Sequence, residues 1–403
     1  MEDADAGRRR TGGTSAARAA ILGVYLADDG YPNVKFRVRG LLRAGDTEIV
    51  ELCAPLPEPV SRAGGPGAAG LLWRLSFFGR VLLDCVRVAA RAIRRHPFAN
   101  VYVPYPAVLV AWLLSWLPGR WRPRALHLDA FISLYDTVVH DRRLVGERSV
   151  AARLLFALER RAYAAATTVI VDTQLNAEFV AHAFGLPADK VVPLPLAIDE
   201  ATYAPVPYVP RAGRCRAVFV GTFVPLQGVE VIAEAIRLLD RDGAVQVQLI
   251  GDGQTADAVA QILAGVAPGA CEWRRGWTDP RALARAIAEA DVCLGIFGDA
   301  EKAQRVWPLK NYAYMCVGRA LITAETRQTR SMLRGGEAPP FVTVPPGDPR
   351  ALADAIVELA ADPQRRIELA GRARDYYERH LASSGSLARL VELMKVHPVD
   401  SAR

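Results

Sequence analysis

Short apolar runs alternate with longer amphipathic stretches along most of the chain. The runs are rich in β-branched residues, and each is followed by a stretch whose apolar positions recur with helical spacing. This alternation predicts a parallel α/β architecture with doubly wound sheets. The predicted strands form two sets of six: Ala20–Tyr25, Glu48–Cys53, Val101–Val103, Ala125–Leu128, Thr168–Val171 and Val191–Leu194, then Ala217–Val220, Val245–Ile250, Cys271–Arg274, Val292–Ile296, Ala320–Thr323 and Phe341–Val344.

A proline-rich stretch separates the two sets of strands. Its prolines are Pro193, Pro195, Pro205, Pro207 and Pro210. Since proline interrupts regular elements, the stretch is read as a linker between two domains. The predicted organisation is a disordered tail over 1–18, a first domain over 19–195, a linker over 196–216, a second domain over 217–380, and a C-terminal helix over 381–403 that packs back on the first domain. Two such domains place a ligand cleft between the carboxyl ends of their sheets.

Composition limits the class of protein. The chain has 403 residues, of which 51% are hydrophobic, so it can bury a large core and is not a disordered scaffold. Six scattered cysteines without a C-x-x-C pair favour free thiols in a reducing compartment. The longest apolar run, 107–117, is shorter than the roughly 20 residues that span a bilayer, and the N-terminus does not resemble a signal peptide. A cytoplasmic protein is therefore expected.

A local excess of arginine underlies the net charge of +7. The window 62–124 contains ten arginines against one acid, Asp84, and its spacing predicts an amphipathic helix over 71–95. The helix places Arg74, Arg80, Arg87, Arg91 and Arg94 opposite Leu72, Leu75, Phe78, Leu82, Val86 and Ile93. Two interpretations stay open: a surface that docks on the anionic inner face of a membrane, or a solvated helix whose apolar face is core. Aromatic residues within aliphatic runs argue against nucleic acid as a partner.

Three glycine-containing loops follow predicted strands of the second half. Gly221 and Thr222 close one strand before a helix that begins near Gly228, and Gly251 and the Gly276–Trp277 loop follow the next two strands. The carboxyl ends of parallel strands share one edge, so these loops should line one cleft. Backbone amides at such turns can hold a phosphate, although an ordinary strand-to-helix loop is the alternative. None of them matches G-x-G-x-x-G, which argues against a dinucleotide site.

The stretch 297–323 places three cations around a helix predicted to begin near Pro308. Lys302, Arg305 and Lys310, together with the helix N-terminus, are suited to neutralise a diphosphate without a metal. The alternative is a solvated basic loop. The apolar neighbours and the preceding strand favour the binding site.

The first half offers carboxylates at a strand end. Asp129 ends its predicted strand and is expected to face the cleft, where a carboxylate can orient or deprotonate a substrate hydroxyl. Asp136 and Asp141 follow, and Asp141 beside Arg142 is better explained as an ion-pair partner. His127 shares the face of Asp129, but a lone strand histidine is more often structural. No Cys/His grouping predicts zinc, and no G-x-S-x-G predicts a serine hydrolase.

In their order, these motifs resemble the nucleotide-sugar-binding domain of retaining glycosyltransferases of family 4, which have the GT-B fold of two Rossmann-like domains. The matching pieces are G-T-x-x-P-L-x-G-x-E from Gly221, L-I-G-D-G from Leu249, G-W at Gly276, A-D-V from Ala290 and R-V-x-P-x-K from Arg305. The first half resembles the acceptor-side domain more loosely, through 129–142, the helix around Glu159 and Asp172–Gln174.

This resemblance implies a function. A sugar would move with retention from a nucleoside diphosphate sugar donor to an acceptor hydroxyl, without a metal cofactor, in glycan, polysaccharide or glycolipid biosynthesis. By position, Lys310, Arg305 and the Gly221–Thr222 turn would hold the diphosphate. The Gly276–Trp277 loop would frame the base.

The chain also departs from the family pattern. Many members carry an E-x7-E pair, and the corresponding positions here are Arg305 and Ala313. Thr222 and Gln227 stand where a basic pair is common. Either Lys302 and Arg305 form a different cradle together with Glu301, or donor binding is weakened. The rival hypotheses are a nucleotide-sugar epimerase of the same architecture and a non-catalytic, nucleotide-binding partner subunit of a glycosyltransferase.

Overall fold

Two parallel sheets organise the molecule. The computed structural model describes residues 19–25, 32–44, 48–56, 68–95, 98–239, 243–267, 269–276, 278–333, 336 and 338–395. Each of the twelve predicted strands is present, with ends shifted by two residues at most. The predicted α/β fold with two doubly wound domains is therefore confirmed. The predicted tail over 1–18 lies outside the described residues.

The first sheet has its strand-order reversal between β1 and β3. Its strands are β1 (Ala19–Tyr25), β2 (Ile49–Pro55), β3 (Asn100–Val103), β4 (Ala125–Asp129), β5 (Thr168–Val171) and β6 (Val191–Pro193). Its helices are α1 (Pro32–Arg43), α2 (Ala68–Arg95), α3 (Val108–Leu114), α4 (Val150–Ala165) and α5 (Gln174–Phe184). The order β2-β1-β3-β4-β5-β6, with every pair parallel, opens a crevice at the carboxyl ends of β1 and β3.

The second sheet has the strand order of dinucleotide-binding domains. Its strands are β7 (Cys215–Val220), β8 (Val245–Ile250), β9 (Cys271–Arg274), β10 (Val292–Leu294), β11 (Ala320–Ala324) and β12 (Val342–Val344). Its helices are α6 (Val229–Leu239), α7 (Ala256–Leu263), α8 (Pro280–Ala288), α9 (Leu309–Val317), α10 (Arg327–Met332), α11 (Pro349–Ala361) and α12 (Pro363–Tyr376). The order β9-β8-β7-β10-β11-β12 puts the switch point between β7 and β10.

Aspartate and proline define several helix starts in the second domain. The side chains of Asp279, Asp348 and Asp362 accept hydrogen bonds from backbone N–H groups in the first turns of α8, α11 and α12. A proline follows each aspartate at the first helical position, where its missing N–H has no cost. These caps fix where each helix begins to pack on the sheet.

The chain returns to the first domain at its C-terminal end. Helix α13 (Ser383–Met394) packs against α1 and β3. The side-chain amide of Asn100 donates to the carbonyls of Met394 and Lys395, each at 3.0 Å, and the Ser386 hydroxyl donates to the Pro195 carbonyl at 2.7 Å. These bonds join α13 to both the first sheet and the segment that leaves it.

Helix α2 contains the predicted helix 71–95 and starts three residues earlier. Phe78, Leu82 and Val86, which belong to its predicted apolar face, are exposed. The core contacts come instead from Val81, Cys85, Val88 and Ala92. The interpretation in which that apolar face is core is therefore wrong for these three residues. Among the described residues, no helix is both long and apolar enough to cross a membrane.

Candidate active site

The strongest candidate site lies at the switch point of the second sheet. Gly221 follows β7, and Lys310 is the second residue of α9. The Lys310 ammonium donates to the side-chain carbonyl of Gln227 and lies 3.6 Å from the ring centroid of Phe219. A Cβ built on Gly221 would lie 2.5 Å from Lys310 Nζ, so the absence of a side chain at 221 leaves room for the ammonium.

The electrostatics of Lys310 distinguish it from the other cations predicted here. Within the described part of the chain it forms no salt bridge, and its neighbours are an amide oxygen and an aromatic face. Loss of hydration lowers the pKa of Lys310 well below the usual value for lysine. A partly buried ammonium without a carboxylate partner is stabilised by an anionic ligand. Lys310 itself lies in the first turn of α9, where backbone N–H groups have no partner within the helix.

Glycines allow the loops around this lysine to approach one another. A Cβ on Gly251, whose φ is 139°, would lie 1.9 Å from the Gly221 carbonyl oxygen. A Cβ on Gly228 would lie 2.4 Å from the backbone nitrogen of Gly298. The loops after β7, β8 and β10 are therefore in backbone contact. The Trp273 indole N–H donates to the Gly251 carbonyl at 2.9 Å and ties the loop after β8 to β9.

The other two predicted cations face carboxylates of the first domain. Lys302 Nζ lies 2.7 Å from the Thr137 hydroxyl, 3.4 Å from Asp136 Oδ2 and 3.8 Å from Asp141 Oδ2. Arg305 Nη2 lies 2.7 Å from Asp136 Oδ2. We call these five residues the interdomain ion cluster. In this arrangement Lys302 and Arg305 neutralise protein carboxylates across the cleft.

Arg305 is held almost entirely out of solvent. Its side chain is 3% exposed, and its guanidinium carbon lies 3.7 Å from the ring centroid of Phe179. The Thr173 hydroxyl donates a hydrogen bond to the backbone carbonyl of Arg305. Arg305 contacts Asp136 as an ion pair, and none of its three side-chain nitrogens has a hydrogen-bond partner among the described residues. Ala313, which occupies the second position of the E-x7-E pattern of family 4, is also buried.

Asp129 does not face an open cleft as expected. Its side chain is fully buried; Oδ2 accepts from Arg37 Nη1 at 2.8 Å and from the Tyr102 hydroxyl at 2.6 Å. Arg37 Nη2 also donates to the carbonyls of Leu194 and Pro195, which follow β6. This placement favours a structural role, in which the carboxylate and Arg37 join α1, two strands and the segment after β6. The catalytic role of Asp129 stays a prediction.

The remaining predicted residues are dispersed. Thr222 is exposed beside Gly221, and Glu301 is exposed and paired with Arg327. Gly251 lies where the loop after β8 contacts the Gly221 turn. Trp277, which was predicted to frame the nucleotide base, lies outside the described residues.

Two residues of the first domain had no specific role in the sequence analysis. Burial raises the pKa of Asp172 to about 6, and its Oδ1 accepts from Asn176 at 2.8 Å. Buried Glu159 accepts from the Ser133 hydroxyl and the backbone N–H groups of 134 and 135, and thereby fixes the loop that leads to Asp136. The sequence shows Glu159 only as an acidic residue in an amphipathic helix. Its role could not be predicted, because its hydrogen-bond partners lie 24 to 26 residues away along the chain.

Possible metal-binding groups and cavities of the described residues also bear on where the site lies. Among the described residues, no three His, Cys, Asp or Glu side chains are grouped to hold a metal ion. Two cavities of about 440 and 450 Å³ lie beside the C-terminal end of α6 and against α11. They contain none of the predicted site residues. The chemistry of Lys310, rather than cavity size, therefore identifies the candidate site.

Part of the second domain matches a known protein family. Residues 214–362 match the model of the family described as "Glycosyl transferases group 1". A glycosyltransferase domain is therefore present. The matched range contains β7 through α11, including the Gly221 turn, Gln227 and Lys310. It confirms the predicted enzyme class, a glycosyltransferase.

Solved structures with the same fold cover nearly the whole chain. The Anabaena protein HepE, solved in complex with UDP, is 15% identical with a TM-score of 0.64, over 93% of this chain and 98% of HepE. Sucrose-phosphate synthase from Thermosynechococcus elongatus is 17% identical with a TM-score of 0.66, over 94% and 98% of the two chains. The N-terminal domain of trehalose-6-phosphate phosphatase from Candida albicans, at 10% identity, gives 0.67 over 94% and 97%.

These likenesses establish the GT-B architecture across both domains. Identities of 10 to 17% fix the fold and leave the reaction open, since one of the three similar structures is named a phosphatase domain. No curated protein matches the sequence.

Proposed function

We propose that this protein transfers a sugar from a nucleoside diphosphate sugar to an acceptor hydroxyl, with retention, as glycosyltransferases of family 4 do. The observation that carries the proposal is Lys310, a partly buried lysine without a carboxylate partner in the described chain, whose ammonium lies beneath the Gly221 turn at the switch point. Retention and family 4 rest on the ordered motifs. HepE, a protein of similar fold, was solved with UDP and UDP-glucose, which supports a nucleotide-sugar donor.

Lys310 would act on the leaving group. As the bond between sugar and diphosphate breaks, negative charge grows on the diphosphate, which favours the charged form of Lys310 and is stabilised by it. Backbone N–H groups of the first turn of α9 would add to this field. These groups supply the stabilisation from the chain itself, so the proposed reaction needs no resident metal. Gln227 would hold the ammonium in position.

The interdomain ion cluster would position the two halves of the site. Lys302 and Arg305 belong to the donor-side domain, whereas Asp136, Thr137 and Asp141 belong to the acceptor-side domain. Their contacts span the cleft and fix the loop 133–141 relative to the start of α9. An acceptor hydroxyl entering between the domains would thereby meet the donor in a defined orientation.

A second candidate is a non-catalytic subunit that binds a nucleotide. Arg305 and Ala313 occupy the positions where many members of family 4 carry carboxylates, and this favours a binding function without transfer. An epimerase of the same architecture is a third candidate. Donor hydrolysis or transfer separates the enzymes from the subunit.

A panel of nucleotides tests the proposed function. We expect one nucleoside diphosphate among UDP, GDP, dTDP and ADP, together with its sugar conjugates, to raise the melting temperature selectively, because a ligand of the native state stabilises it according to its affinity. Mass spectrometry of the matching sugar nucleotide should then detect slow donor hydrolysis. A shift without hydrolysis or transfer to any acceptor would favour the subunit. No shift with any nucleotide would contradict the donor site.

Lys310 also predicts how donor affinity depends on pH. The diphosphate favours charged Lys310, whose pKa in the free protein is well below that of an ordinary lysine. Affinity should therefore be constant below that pKa and fall as the pH rises through it, by about tenfold per unit at most. Titration calorimetry with the selected sugar nucleotide in buffers of different ionisation enthalpy should detect proton uptake in the falling range. A Lys310→Met variant with the same pH profile would contradict the assignment.

A further inference from the structure

Helix α2 has three faces rather than two. At about 100° per residue, its described side chains from Ser76 onward separate into three sectors. The buried sector contains Val81, Cys85, Val88 and Ala92. We call the exposed sector of Phe78, Leu82, Leu83 and Val86 the apolar strip, and that of Arg80, Arg87, Arg91 and Arg94 the arginine strip. The two strips lie side by side along the solvent-facing surface of the helix.

The apolar strip is unusual for a soluble surface. Phe78 is 65% exposed, Leu83 47%, and Leu82 and Val86 44% each. Single exposed apolar side chains are ordinary, but neighbours at spacings of four residues form a continuous patch. Leu82 and Val86 follow Phe78 by about one and two turns, so the patch extends for a little over two turns. The core does not need these side chains, because the buried sector already packs α2 on its sheet.

Acidic residues of α2 neutralise little of the positive charge of the arginine strip. Asp84 is the one acidic residue of α2 and lies 2.9 Å from Arg87. An exposed pair of this kind neutralises little of the local field. The helix therefore presents positive charge directly beside exposed apolar surface.

Tryptophans continue this surface next to α2. Helix α3 packs against α2, and Trp116, just past the end of α3, is 61% exposed. Trp121 is 38% exposed, and the neighbouring Arg120 and Arg124 are exposed. The segment 116–124 leads into β4, and the end of α2 leads into neighbouring β3. Because these parallel strands start at one edge, the tryptophans lie near the C-terminal end of α2.

We propose that α2, with Trp116 and Trp121, docks on the surface of an anionic phospholipid bilayer. A helix in the plane of a membrane buries apolar side chains among the acyl chains and places arginines at the phosphates, and tryptophan concentrates at that interface. Charge complementarity selects an anionic surface, and the apolar strip argues against a nucleic acid. The exposed Trp116 and Trp121 beside an amphipathic helix favour a bilayer over an acidic protein. The docking itself is independent of the proposed function.

The placement of α2 links docking to the proposed reaction. Helix α2 leaves the carboxyl edge of the first sheet after β2 and runs toward the amino edge before β3. Its N-terminal end therefore lies on the side where the cleft opens. If the proposed transferase acts as described, a docked α2 would bring the cleft to a lipid-carried hydroxyl acceptor.

Vesicle flotation of the full chain tests the docking. We expect binding to vesicles of phosphatidylcholine with phosphatidylglycerol, weak binding to phosphatidylcholine alone, and release by salt. Replacing Arg87, Arg91 and Arg94 together by glutamine should weaken binding about 100-fold, since each basic residue near an anionic surface contributes about fivefold. Leu82→Gln with Val86→Gln should weaken it at least about tenfold, through lost apolar burial.

A matched triple variant separates local from overall charge. Arg237, Arg350 and Arg365 are exposed on the second domain, and their replacement by glutamine removes the same charge. This control should float like wild type, and all variants should keep the wild-type melting temperature and nucleotide response. Absent wild-type flotation, equal loss in the control, or unchanged flotation of the Leu82/Val86 variant would each overturn the proposal. Tighter binding to nucleic acid than to vesicles would do the same.

Discussion

Replacing Lys310 by methionine is expected to lower sugar transfer by about 10²–10³-fold, equivalent to about 2.7–4 kcal/mol of transition-state stabilisation. The ammonium is the group that would oppose charge on the leaving diphosphate, whereas methionine keeps most of the side-chain volume. Thermal stability should change little, because Lys310 forms no salt bridge in the described chain and its burial disfavours its charge. Single-turnover rates with saturating donor, together with melting curves, measure the two effects separately.

The effect of Lys310→Met on nucleotide binding is best compared with that of Lys302→Met. The Lys302→Met variant removes a lysine of the same region whose contacts are Asp136, Asp141 and Thr137 of the other domain. We expect it to retain the nucleotide-induced melting shift, because its ammonium is already occupied by protein carboxylates. The reverse outcome, in which Lys302→Met abolishes the shift and Lys310→Met keeps it, would move the diphosphate to the interdomain ion cluster.

Gly221→Ala provides a second, subtler probe of the same site. The new methyl group would lie within 2.5 Å of both Lys310 Nζ and Gln227 Oε1, so these flexible side chains must move. The backbone at 221 is not in the left-handed region, and the fold should tolerate the change. Loss of donor affinity with a native melting temperature would therefore support the position of Lys310 beneath this turn.

The parts of the structure that sequence could predict are those with local causes. Strand β5 is a short, β-branched run followed by helical periodicity, and its bounds agree with the prediction to the residue. The starts of α6 and α9 follow Gly228 and Pro308, which are local signals as well. Lys310 was also predictable, because its place just after a helix start follows from the same signals.

The parts that could not be predicted depend on distant partners. Asp129 ends a strand, as a cleft carboxylate does, but Arg37, 92 residues away, buries it in an ion pair. Lys302 meets Thr137 across 165 residues and two domains. On α2, the hydrophobic pattern identified the helix, yet it did not distinguish Val81 of the core from Leu82 at the surface. Such distinctions require knowledge of which neighbours cover each face.

Asp129→Ala is expected to destabilise the first domain by about 3–5 kcal/mol, since it leaves the Arg37 guanidinium buried without its counter-charge. Arg37 and Asp129 are both fully buried, and Tyr102 would lose its acceptor as well. For a domain of this size we expect a melting temperature lower by roughly 6–20 °C. Differential scanning calorimetry, or urea unfolding followed by circular dichroism, measures this loss.

The double variant Arg37→Met with Asp129→Leu decides between the structural and the catalytic role of Asp129. Because it removes both charges and fills the space with apolar groups, it should regain part of the stability lost in Asp129→Ala, although the Tyr102 hydroxyl and the Leu194 and Pro195 carbonyls lose their partners. If Asp129 only supports the fold, the double variant also regains sugar transfer, since Lys310 and the glycine loops lie in the other domain. A double variant that is stable but inactive would instead restore Asp129 as the residue that orients or deprotonates the acceptor.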